Sequence, residues 1–131
     1  MPDLVLDTHA CVYALVAPAR LGKAARRALA DVEAGRATAW IPAAVVAELV
    51  LLRELGRVDI GLPELRTALE HAPSLRFLAL DLRQLDEFAA HTAIRDPVDR
   101  LIASACRAVD GRLVTKDDSL RRSGLVRTVW N

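Results

Sequence analysis

Three large apolar residues, Leu4-Val5-Leu6, run directly into a carboxylate and a hydroxyl, Asp7-Thr8. A short uninterrupted apolar run suits a strand buried on both faces, as in the middle of a parallel sheet. The residues that follow, 10–16, have the apolar content of a helix. Asp7 therefore stands where a central strand ends and a helix begins. In open α/β sheets, ligands bind outside the carboxyl ends of the strands. That makes Asp7 a candidate first ligand of a metal site, to be joined by acids from later in the chain.

The remaining pattern keeps alternating. It predicts strands over 4–6, 38–41, 76–80, 112–115 and 126–129. It predicts helices over 21–34, 43–55, 63–71, 82–90 and 97–109, and a short helical turn after Asp117. Leu21, Ala24, Ala25, Ala28, Leu29 and Val32 form an apolar stripe that Gly35 terminates. Pro42 opens the next helix at its first turn, where a missing N–H costs nothing. Strands alternating with helices mean βαβ units, hence an α/β fold with a central, mainly parallel sheet. A length of 131 residues suits one domain spanning 1–131, and no repeat or linker interrupts it.

Composition narrows the function classes. Hydrophobic residues make up 53%, too many for a disordered chain, and aromatics only 4%, so Ala, Leu, Val and Ile must build the core. The 18 basic and 17 acidic residues leave a formal charge of +1. That excludes nucleic-acid binding through an overall positive field, but not through a local basic rim. Cys11 and Cys106 sit in apolar surroundings, which reads as reduced core thiols rather than a disulfide framework. Met1-Pro2-Asp3 lacks the basic start of a secretory signal. No apolar run reaches the roughly 18 residues of a spanning helix. The longest candidate, 41–52, is broken by Pro42 and Glu48. These features predict a cytoplasmic protein without membrane attachment.

Four acidic positions stand out. One helical turn from Glu48 lie Ala44, Val45, Leu51 and Leu52, so its carboxylate is expected on the buried side. A buried carboxylate requires a cation or a basic partner, unless the helix is rotated enough to let it reach water. In Arg95-Asp96-Pro97-Val98-Asp99-Arg100, Asp96 reads as an N-cap with Pro97 at the first helical position. Asp99 then sits in the first turn, where the helix dipole favours an acid. Asp117 follows the apolar strand Leu113-Val114-Thr115, repeating the pattern of Asp7. Capping explains each of these acids alone; it does not explain why two strands end in acids, one helix buries one and another helix begins with two. A carboxylate cluster needs cations to stay ionised, and oxygen-only ligands favour magnesium or manganese over zinc. His9, His71 and His91 are scattered without zinc-type spacing. His9 is close enough to Asp7 to face the site, though a surface or helix-packing role suits it better.

Four segments together resemble the PIN domain, and in particular the VapC-type toxins of bacterial toxin–antitoxin pairs. They are Val5-Leu6-Asp7-Thr8-His9-Ala10, Ala47-Glu48-Leu49, Arg95-Asp96-Pro97-Val98-Asp99-Arg100-Leu101-Ile102-Ala103 and Leu113-Val114-Thr115-Lys116-Asp117. The resemblance implies a three-layer α/β/α sandwich and a magnesium- or manganese-dependent ribonuclease. It implies that Asp7, Glu48, Asp99 and Asp117 form an acidic metal-binding quartet with Asp96 as an auxiliary acid. Thr8 and Thr115 would orient the neighbouring carboxylates, and Asp118 competes with Asp117 for the fourth position. It further implies a homodimer restrained by a small antitoxin. The chain departs from the family pattern at Ala47 and Val98, where aromatics are common; both positions bear on packing rather than on metal ligation.

The chemistry expected is metal-assisted hydrolysis of RNA to 5′-phosphate and 3′-hydroxyl ends. Arg95, Arg100 and Lys116 flank the acids and are candidate contacts to the RNA backbone. A catalytically silent PIN-like RNA- or protein-binding module is the main alternative. A DNA-directed nuclease would differ only in its treatment of the 2′-hydroxyl. A phosphate-accepting receiver domain fits less well, because it needs an acidic pair after the first strand and Asp7 stands alone.

Overall fold

A computed structural model describes residues 3–131; Met1 and Pro2 lie outside the described residues. The first strand, β1 (Asp3–Leu6), leads through Asp7 into α1 (Thr8–Val16). A turn of 3-10 helix (Pro18–Arg20), which the sequence pattern does not predict, connects α1 to α2 (Lys23–Glu33). Then come β2 (Thr38–Pro42), α3 (Ala43–Glu54), α4 (Leu62–His71), β3 (Leu75–Leu78) and α5 (Leu82–Ala90). The chain finishes with α6 (Pro97–Ala108), β4 (Arg112–Val114), α7 (Asp118–Arg122) and β5 (Arg127–Val129).

The five strands form one sheet in the order β3-β2-β1-β4-β5, and every pairing is parallel. The helices flank this sheet as the outer layers of an α/β/α sandwich. Leu4, Val5 and Leu6 are fully buried, as their position in the central strand demands. At the sheet edge Arg76 and Phe77 of β3 are exposed. The chain steps outward from β1 to β2 to β3, then returns across the sheet to place β4 on the other side of β1. The direction of winding thus reverses between β1 and β4. Such a switch point opens a crevice at the carboxyl ends of the two strands.

The strand order is the part of the fold the sequence does not reveal, because periodicity reports burial and not neighbours. Tertiary capping of α2 is a second such feature. The Gly22 N-cap has no side chain to offer, so the first N–H groups of α2 need other acceptors. Lys23 N donates to the Asn131 carbonyl, and Ala24 N and Ala25 N both donate to the Trp130 carbonyl. The segment after β5 thereby caps a helix more than a hundred residues earlier. A Cβ at residue 22 would run into the Trp130 carbonyl. Gly22→Ala should therefore lower the unfolding free energy by about 1–3 kcal/mol, read by chemical denaturation.

Candidate metal-binding site

The carboxyl ends of β1 and β4 open on a cavity of about 330 Å³ lined by Asp7, Thr8, His9, Glu48, Asp99, Ile102, Lys116 and Asp117. Four acids from four different segments face one space. Asp7 is the N-cap of α1, and its Oδ1 accepts from Ala10 N at 2.8 Å. Asp117 is the N-cap of α7 and accepts from Leu120 N at 2.9 Å. Capping and cavity lining are therefore one arrangement: an extended cap residue at the end of a strand has its side chain at the sheet's carboxyl edge. Asp99 lies in the first turn of α6, whose N-cap Asp96 accepts from Asp99 N at 3.0 Å. Glu48 comes from α3, which packs against both α1 and α6.

Thr115 ties the two strand ends together. It is fully buried, and its hydroxyl accepts from Asp117 N at 3.0 Å. The same side chain acts on the Asp7 carboxylate and favours its charged form. Burial nevertheless raises the Asp7 carboxyl above its ordinary value, against the bonds from Thr115 and Ala10 N that hold it down. Asp99 is pushed up to about 6, first by burial and then by the charges of Asp96, Asp117, Glu48 and Asp7. The same four acids that line or border the cavity thus act on one another's charge.

The structure departs from the sequence expectations at several residues. Glu48 is half-buried rather than enclosed, because the core stripe of α3 runs through Val45 and Leu49, while Leu51 is 55% exposed. Thr8, expected to orient Asp7, has a buried hydroxyl without a hydrogen-bond partner; the Asp7 Oδ1 is already engaged three residues on. Asp118 points outward to loose ion pairs with Arg121 and Arg122, leaving Asp117 as the acid on the cavity. Asp96 and Arg95 are exposed and do not line the cavity. Arg100 packs over the Phe88 ring at 4.2 Å and donates from Nε to the Phe88 carbonyl, which fastens α6 to α5. Lys116 does line the cavity, and its Nζ donates to Tyr13 Oη at 3.2 Å.

His9 and Tyr13 are the residues sequence reasoning undervalued. His9 is exposed and lines the cavity, and Tyr13 lies one turn further along α1. A four-residue spacing to the chain's single tyrosine was the available signal.

The donor chemistry suits a hard divalent cation. All the acids offer oxygen, and the unpaired Thr8 hydroxyl offers one more polar atom at the wall. Among the described residues, no three His, Cys, Asp or Glu side chains meet closely enough to ligate one ion alone. Magnesium tolerates this, because it keeps several waters and binds through one or two carboxylates.

A family model described as the PIN domain matches residues 4–124. The chain belongs to the PIN domain family. This PIN domain is 32% identical to Ribonuclease VapC22 of Mycobacterium tuberculosis over 141 residues, covering 99% of this chain and 100% of that protein. Three solved structures share its fold. The crystal structure of VapBC2 from Rickettsia felis bound to a DNA fragment from their promoter superposes with a TM-score of 0.71 at 20% identity, covering 98% of this chain and 99% of that one. FitAcB from Neisseria gonorrhoeae gives 0.65 at 19% identity, with 95% of each chain covered. DNA-bound VapBC from Salmonella typhimurium gives 0.67 at 17% identity, covering 98% and 97%.

Two outcomes follow for the PIN domain's acids. Asn caps a helix as well as Asp does, so Asp7→Asn should keep the fold, while Asp7→Ala should be less stable than Asp7→Asn by about 0.5–2 kcal/mol in denaturant titrations. Because the folded Asp99 carboxyl is raised, its contribution to stability is complete below the ordinary value of 3.8 and is lost as pH rises through about 6. A divalent cation offsets that loss only where the acid is ionised. The gain in melting temperature on adding Mg²⁺ or Mn²⁺ should therefore be larger at about pH 7.5 than at about pH 5. A gain independent of pH would remove Asp99 from the cation site.

Proposed function

We propose that this PIN domain is a divalent-metal-dependent endoribonuclease, the toxin of a toxin–antitoxin pair, which hydrolyses RNA phosphodiester bonds to 5′-phosphate and 3′-hydroxyl ends. The observation that carries the reading is the convergence of Asp7, Glu48, Asp99 and Asp117 on one cavity, with Asp99 raised to about 6. The likeness to a ribonuclease over essentially the whole chain supports RNA as the substrate. The fold shared with VapBC complexes supports a small antitoxin as partner.

Asp7, Asp99, Asp117 and Glu48 would hold Mg²⁺ or Mn²⁺. When bound, the cation supplies charge neutralisation at the phosphate and activation of water for in-line attack. Thr115 holds the Asp117 backbone through its hydroxyl and favours the charged form of Asp7. Asp96 keeps the first turn of α6, and with it Asp99, in place. Lys116, held by Tyr13, presents an ammonium group to a phosphate oxygen at the cavity wall. The N-termini of α1 and α6 add partial positive charge on the same side.

A homodimer belongs to this reading. Phe77, Leu80, Leu82 and Leu85, on and after β3, are exposed and supply an apolar surface for such a contact. The buried, free thiols of Cys11 and Cys106 support a reducing, cytoplasmic setting. No helix among the described residues is long and apolar enough to cross a membrane.

The test is cleavage of a mixed set of structured RNAs by purified protein, with Mg²⁺ or Mn²⁺ and with chelator, beside Asp7→Asn. Discrete cuts bearing 5′-phosphates are expected, reduced more than about 100-fold in chelator and in the variant. Equal cutting under all three conditions would overturn the metal-nuclease reading.

A further inference from the structure

A second, larger cavity of about 720 Å³ adjoins the acidic one, and His9 and Glu48 belong to both. It lies between α1 and α3. Its apolar floor includes Val12, Leu52 and Ile60, and its rim carries Arg20 and Arg57. Neither arginine forms an ion pair among the described residues. Two acids also line it: Glu48, at the junction, and Asp59.

Tyr13 organises the cations. The Arg20 guanidinium stacks on the Tyr13 ring at 4.5 Å, and the Lys116 ammonium lies 5.1 Å from the same ring while bonded to its hydroxyl. Stacking of this kind restrains a long side chain while leaving its N–H donors available. The His9 ring leans on Tyr13 with centroids 6.1 Å apart and is exposed at the mouth shared by the two cavities. Positive charge, an exposed ring and an apolar floor in line with a phosphodiester-cutting site are the elements of a single-strand track. Cations take phosphates, and rings and apolar surface take unstacked bases.

We infer that the α1–α3 groove holds the single-stranded RNA segment next to the scissile phosphate, with Arg20 and Arg57 on its phosphates, His9 against a base, and Tyr13 positioning Arg20 and Lys116. This rests on the ribonuclease reading and adds to it the path of the strand. Of the basic residues beside the acids in sequence, Lys116 lines the acidic cavity, whereas Arg95 and Arg100 line neither cavity.

The test is binding of a fluorescein-labelled, random-sequence, single-stranded 20-nucleotide RNA pool, by anisotropy in chelator across a salt series. Arg20→Ala with Arg57→Ala should weaken binding about tenfold and flatten the log–log salt slope by about 0.7 per lost phosphate contact. Tyr13→Phe, which keeps the ring and removes the Lys116 acceptor, should weaken it less. Both arginines are exposed, so folding is not at stake. Wild-type affinity and slope in the double variant would overturn the proposal and assign the groove to a protein partner instead. Absence of RNA binding by the wild type would overturn it as well. Hydrolysis of bis(p-nitrophenyl) phosphate by wild type in Mn²⁺, lost in Asp7→Asn, reads the acidic cavity separately. A substrate that small does not extend along the groove, so the nuclease reading can survive failure of the groove.

Discussion

Three residues of β1 run beside three of β4, Leu4 with Arg112, Val5 with Leu113 and Leu6 with Val114, and the bond from Asp7 N to the Val114 carbonyl carries the ladder one step further. Asp7 thereby emerges beside Thr115, two residues before Asp117. Ladder geometry fixes this juxtaposition more firmly than any side-chain bond does. The Thr115 hydroxyl accepts from the Asp117 N–H, and the same side chain favours the charged form of Asp7. Moving β4 by one residue would turn Thr115 to the other face of the sheet and separate the two acids.

The acids serve two purposes that make different physical demands. As caps, Asp7, Asp96 and Asp117 need only an oxygen aimed at a backbone N–H. As a cluster, Asp7, Glu48, Asp99 and Asp117 need to remain charged close together, which burial and mutual repulsion oppose. The fold meets the first demand locally, through bonds within one helical turn. The second is the demand that the proposed cation would meet. Stability and charge are thus coupled at Asp99, where four neighbouring acids add to the effect of burial.

Most of the element pattern is legible in the sequence because each element carries its own signal. The run Leu4-Val5-Leu6 announces a central strand, Pro42 and Pro97 announce helix starts, and the strand-end acids announce the carboxyl edge. Element ends shift by a residue or two, as terminal hydrogen bonding decides them. The strand order is not legible, because two interior strands with similar burial read alike wherever they pair. The apolar neighbours of Glu48 in the sequence overstate its burial: Leu51 faces outward, and only Val45 and Leu49 reach the core. Arg100 lies beside acids in the sequence, and in the fold the Phe88 ring and carbonyl, twelve residues earlier, hold it. The groove cations Arg20 and Arg57 belong to none of the motifs, and only folding brings them to the rim of one cavity with Glu48.

Cys11 and Cys106 are both buried, and burial pushes each thiol up to about 12. Near neutral pH almost none of either is thiolate, the form that reacts with maleimides, iodoacetamide or oxidants. Neither cysteine therefore competes for a thiol-directed label. A cysteine introduced at an exposed site such as Val16, on the wall of the α1–α3 groove, would be the one position to take a fluorophore or spin label. The native core would need no prior substitution, and the groove could be followed spectroscopically in an otherwise unaltered chain.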